Sequence, residues 1–110
     1  MTVIFSDKKL KKLFNNDRAL LRKFGKLRAM KLKTRLDQLR SANNLEALRS
    51  QPGNFHELIG NRKGQWACDL DQPYRLVFIT IDPVIAVELV RENEGIKSTV
   101  VKVLEVINYH

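Results

Sequence analysis

Cys68 is the chain's one cysteine, so no internal disulfide can form, and a reducing cytoplasm is the expected compartment. No run approaches the roughly 18 apolar residues that a membrane-spanning helix needs, and Met1–Phe5 has neither a basic leader nor a long apolar core. No membrane partner is therefore expected. Two histidines and one cysteine are a thin basis for a metal site. There is no Gly-rich nucleotide loop, paired-carboxylate motif or HExxH, so no cofactor is expected. Acidic residues are scarce in the first part of the chain. Residues 1–40 hold three against thirteen Lys or Arg, a balance of +10, whereas residues 41–110 hold nine against seven, a balance of −2. Such asymmetry favours an anionic partner, either nucleic acid or an acidic protein surface, although a basic surface also simply keeps a small protein soluble.

A hydrophobic share of 44% argues against global disorder, and 110 residues suffice for one domain with a single two-layer core, residues 1–110. Thr2–Phe5 reads as an edge strand. Ser6 is placed to cap a helix whose apolar residues are Leu10, Leu13 and Phe14. Asp17 can cap the next helix, where Leu20, Leu21, Phe24 and Leu27 form a stripe that Gly25 divides. Ala29, Leu32, Leu36 and Leu39 follow one helical face, with Lys31, Lys33, Arg35 and Arg40 away from its centre. The pattern is that of a helical hairpin with one buried side. Asn44 can cap a short turn through Leu48, and Pro52-Gly53 ends the helical half.

After Gly53 the period falls to two. Phe55–Ile59, Gln65–Asp71, Tyr74–Ile81, Val84–Val90 and Thr99–Val106 read as strands, with Arg91–Lys97 a polar loop. Helices followed by antiparallel strands predict an α+β fold: an N-terminal helical pair packed on one face of a mainly antiparallel sheet, the other face partly open.

The chemistry available is basic and imidazole. Arg62, Lys63 and Arg75 can hold a phosphate and offset charge developing on its oxygens. His56, Tyr109 and His110 can move protons, and Trp66 can stack a base. That palette suits RNA cleavage. Each residue also has a structural reading: Arg62 and Lys63 as solvated turn residues, Arg75 as an ion-pair partner, Trp66 and Cys68 as core, His110 as a frayed terminus.

The segment Gly60-Asn61-Arg62-Lys63-Gly64-Gln65-Trp66, continuing to Tyr74-Arg75-Leu76-Val77-Phe78, resembles the HigB branch of the RelE/ParE toxin superfamily, whose members show GxRxGxWS and then WRIxF. The ending Glu105-Val106-Ile107-Asn108-Tyr109-His110 resembles the family's Glu-Ile-Val-Asp-Tyr-His. The resemblance implies a RelE-like fold and a toxin that cuts messenger RNA at the ribosome without a metal. It also implies a helix-turn-helix antitoxin as partner, and operator DNA reached through that antitoxin. By position, His110, Arg75, His56 and Tyr109 fall on the family's catalytic places and Arg62 and Lys63 on its phosphate-binding loop, while Asn108 and Trp66 would orient the RNA or contact a base. The chain departs from the pattern at Ile59, where relatives carry Lys, at Asn108, where they carry Asp, and at Tyr74, where they carry Trp. These departures leave two further functions to weigh: a catalytically inactive corepressor subunit and a gyrase-targeting relative.

Overall fold

A computed structural model describes residues 1–81 and 99–108. The chain runs β1 (Thr2–Phe5), α1 (Lys8–Phe14), α2 (Asp17–Ser41), α3 (Leu45–Leu48), β2 (His56–Glu57), a 3-10 turn at Gly60–Arg62, β3 (Trp66–Asp69), β4 (Tyr74–Ile81) and β5 (Val100–Asn108). The expected strand Val84–Val90 and loop Arg91–Lys97 lie outside the described residues.

Local chemistry decides the helix starts. Ser6 and Asp17, expected as caps, are each one residue from the group that serves. Asp7 accepts from the Leu10 N–H at 2.7 Å, and Asn16 accepts from the Ala19 N–H at 3.0 Å. Asn44 caps α3 through the Ala47 N–H, as its position predicted. A cap of this kind contributes about 1 kcal/mol.

Gly25 turns α2 into a hairpin. Its backbone, at φ 81° and ψ 165°, lies in a region nearly closed to residues with a Cβ. Lys33 meets Asp17 at 3.1 Å, each eight residues from that glycine. An unbroken helix would hold them about 24 Å apart, so the two arms fold back side by side. The stripe read from the sequence needs correcting there. Leu20 is fully buried, but Leu21, one residue on and about 100° around the same arm, is about half exposed, and so is Leu27, which lies beyond the break at Gly25 where the helical phase is reset.

The sheet has the order β1-β5-β4-β3-β2, with β1 parallel to β5 and the other neighbours antiparallel. Its helix-facing side supplies Trp66, Cys68, Leu76, Phe78, Val101 and Val103 to a core completed by Leu20, Leu32, Leu36 and Leu39. Leu32 and Leu39 are fully buried, and truncating either to Ala costs on the order of 3 kcal/mol. The architecture is therefore α+β, with helices covering one face of a mixed five-stranded sheet.

Arg35 departs from the sequence reading. Placed by helical phase away from the centre of the apolar face, it is nonetheless only 8% exposed, with Nε donating to the Asp69 carbonyl at 2.7 Å and Nη1 to Gln38 Oε1 at 2.9 Å. Helical phase alone could not reveal that a strand carbonyl waits beneath it.

Candidate functional site on the open sheet face

The sheet face away from the helices has a small apolar floor of Leu58, Ala67 and Val77, extended by Leu104 and Ile107. Strand alternation sets polar side chains around it. Ala67 pairs with His56 on one side and Val77 on the other, and Val77 pairs with Glu105, so His56, Ala67, Val77 and Glu105 form one row across four strands. The next row holds Asp69, Arg75 and Ile107.

Arg62 reaches this face from the 3-10 turn. Gly64, at φ 91°, closes the turn in a left-handed conformation and returns the chain to β3. The Arg62 guanidinium donates from Nη1 to Gln65 Oε1 at 2.9 Å and from Nη2 to Glu105 Oε1 at 3.2 Å. It thereby spans from the turn to the last strand. Lys63 follows it, exposed.

Arg75 is anchored within the sheet. Its Nε lies 3.2 Å from Asp69 Oδ1, and both side chains are about three-quarters buried. Asp69 is held in turn by Asn54 Nδ2, which donates to Oδ2 at 3.3 Å. Among the described residues, buried Asp69 Oδ1 has no aligned hydrogen bond, so its contact with Arg75 is one of charge alone. The structural reading of Arg75 as an ion-pair partner is correct, yet the residue also belongs to the open face.

His56 is half buried on the edge strand, with Nδ1 2.6 Å from the Asn54 carbonyl oxygen. That oxygen can only accept, so the contact selects the tautomer protonated at Nδ1 and leaves Nε2 as an acceptor. Trp66 is not on this face. Expected to orient or contact a base, it is 7% exposed within the helix-side core, with the Arg49 guanidinium 4.6 Å above its ring. Asn108 pairs with Tyr74 and so alternates to the side opposite Ile107 and Arg75. Ile59, where a family lysine would stand, is 89% exposed. Tyr109 and His110 lie outside the described residues.

Burial pushes the Cys68 thiol up to about 12, which makes it an inert core group. On the helix side, Arg28 makes a two-point contact with Asp71 at 3.0 Å for each bond and lies 3.3 Å over the Tyr74 ring. The hydrogen bond to Arg28 holds the Asp71 carboxyl below its ordinary range. Among the described residues, no group of three or more His, Cys, Asp or Glu converges, and no helix is long and apolar enough to cross a membrane.

Three groups escaped the sequence reading: Gln65, Asp69 and Glu105. Gln65 and Asp69 left no signal beyond strand alternation. For Glu105 alternation misleads. Val77 pairs with Glu105 while Phe78 pairs with Val103, so a bulge at Leu104 shifts the phase of β5. Without the bulge Glu105 would share the core face of Val101 and Val103.

The fold has a counterpart among solved structures. A YoeB/ParE toxin from Agrobacterium tumefaciens matches with a TM-score of 0.61 over 100% of both chains, at 10% sequence identity, a likeness of fold alone. Among curated proteins none matches the chain significantly. The model of the HigB-like toxins, RelE-like toxins of type II toxin–antitoxin systems, matches residues 3–90. The chain accordingly belongs to the HigB-like toxin family, whose members are the toxin half of a toxin–antitoxin pair.

Proposed function

We propose that this toxin is an endoribonuclease that cuts messenger RNA in the ribosomal A site, in the cytoplasm, and that a helix-turn-helix antitoxin neutralises it. One observation carries the reading. Arg62 and Arg75, which reach the sheet from different elements, are both anchored on the sheet face away from the described helices. Fixed guanidinium groups suit a dianionic phosphorane-like transition state, because they need little reorganisation as charge develops.

In this mechanism Arg62, Lys63 and Arg75 hold the scissile phosphate. The 2′-hydroxyl attacks phosphorus and the 5′-oxygen leaves, giving a 2′,3′-cyclic phosphate and a 5′-hydroxyl. His110 serves in proton transfer with Tyr109 orienting it or the RNA, and His56 is the second imidazole within the fold. The ribosome aligns the RNA and so supplies orientation of the 2′-hydroxyl against the scissile phosphate.

The test is to induce wild type, Arg75→Ala and a variant lacking His110, and to map 5′ ends on translated and untranslated copies of one transcript. Cuts confined to translated copies in the wild type, lost in both variants while antitoxin binding persists, are the expected result. Equal cutting without translation removes the ribosome from the mechanism, and unchanged cutting after loss of His110 removes that residue. A second reading, an inactive corepressor subunit, draws on Ile59, which puts an exposed apolar side chain in the lysine's place. Normal growth under unopposed expression is the outcome that favours it.

A further inference from the structure

We propose that Glu105 is the general base of this site, the group that takes the proton from the attacking 2′-hydroxyl; the assignment rests on the nuclease reading above. The 2′-hydroxyl and the scissile 3′-phosphate belong to one nucleotide, so the base must stand beside whatever holds that phosphate. Glu105 does. Its carboxylate touches Arg62 at 3.2 Å, and its strand position is diagonal to Arg75, whose direct partner is Ile107. Diagonal neighbours in antiparallel strands lie about 7–8 Å apart, so Glu105 stands close to both arginines.

The other candidates among the described residues are less well placed. Asp69 also lies on this face, but its carboxylate is held by Arg75 and Asn54, and Oδ1 is buried. Glu57 pairs with Trp66, so it alternates to the other face. His56 is three strands from Glu105 along the same row, about 14 Å at the usual strand spacing. The Glu105 side chain is 48% exposed, which leaves it open to a substrate lying across the face.

Arg62 suits this chemistry as a neighbour. It spends one donor on Gln65 and one on Glu105, and its guanidinium has five, leaving others for a phosphate oxygen. The Glu105 carboxylate accepts the 2′-hydroxyl proton as the 2′-oxygen bonds to phosphorus. The bond from phosphorus to the 5′-oxygen breaks with its electron pair on that oxygen, which takes a proton from the acid proposed at His110. Glu105 then releases its proton to solvent and His110 regains one from it. The Lys and Asp replaced by Ile59 and Asn108 are thus not needed for the proton-accepting step.

Glu105→Gln is the informative variant, because an amide oxygen can still accept from Arg62 while the side chain can no longer take a proton at neutral pH. Purified wild type, Glu105→Gln and Glu105→Asp are compared in single-turnover cleavage of a defined messenger RNA on ribosomes, with binding and thermal unfolding measured in parallel. Glu105→Gln is expected to lower the cleavage rate constant by about 10²–10³-fold while half-saturation and melting temperature stay near wild type. Glu105→Asp should recover part of the rate. A Glu105→Gln protein that cuts as fast as a cutting wild type overturns the base assignment alone. A loss matched by weakened binding or unfolding overturns it too, in favour of a role in holding Arg62. A wild type that cuts no RNA on or off the ribosome overturns the nuclease reading and this assignment with it.

Discussion

Lys8, Lys9, Lys11 and Lys12 on α1 are all exposed and form no ion pair among the described residues. Arg62 and Arg75 on the open sheet face are at most about one-third exposed, and each meets a carboxylate from a strand. The helical layer thus holds most of the chain's positive charge with little fixed geometry, while the sheet face holds less charge at defined positions. Loose surface lysines attract a polyanion over a distance set by ionic strength. Anchored arginines recognise one phosphate at one place. On the proposed reading, net charge therefore points to the layer that does not hold the chemistry.

The largest effect that separates the layers is expected in catalysis. Arg75→Ala should lower cleavage by about 10²–10³-fold, or about 3–4 kcal/mol, whereas replacing the four α1 lysines by Ala should leave the single-turnover rate at saturation unchanged. Similar losses from both variants would dissolve the distinction.

Arg28→Ala comes next, in stability. It removes two hydrogen bonds to Asp71 and the contact with the Tyr74 ring, at a combined cost of about 2–3 kcal/mol measured by urea unfolding. The sign of its pH dependence follows from the lowered Asp71 carboxyl. The contribution is fully present above the unfolded carboxyl value of about 3.9 and is lost as pH falls through the lower folded one. The gap between wild type and Arg28→Ala should therefore narrow only below about pH 4.

Gly25→Ala should cost about 1–2 kcal/mol. Nothing stands within 4 Å of an added Cβ, so the cost comes from the left-handed backbone alone. A neutral result by thermal melting would mean that the turn between the arms relaxes freely.

The α1 lysine variant should then appear in binding. Its affinity for RNA should fall, and the slope of log affinity against log salt should flatten by no more than about 3, near 0.7 per lost phosphate contact. Smallest of all, Cys68 should resist thiol reagents at pH 8 in the folded protein and react promptly once unfolded. Its raised value leaves stability intact below the unfolded thiol range, and stability declines as pH rises from there toward about 12.

Sequence alone reached the architecture because periodicity reports burial. The period-two run Tyr74–Ile81 matches β4 as far as the described residues go, and Asn44 caps the turn its chemistry indicated. Arg62 and Arg75 were legible as cations at a turn and on a strand. Their partners were not, because Gln65, Asp69 and Glu105 acquire meaning only when strands are paired. Phase errors had one cause in two places. Gly25 resets the helix before Leu27, and the bulge at Leu104 resets β5.

Composition and period thus determined the elements and the layering, and the spacing of the basic motif marked two arginines of the candidate site, since elements and layering follow from short-range sterics and from which side chains avoid water. Tertiary structure decided that Trp66 and Arg35 turn inward, that the lysine-rich helices lie across the sheet from the arginines, and that Glu105 faces Arg62. Each of those outcomes depends on strand register, which is set by contacts between residues far apart in the chain and leaves no periodic trace within any one segment.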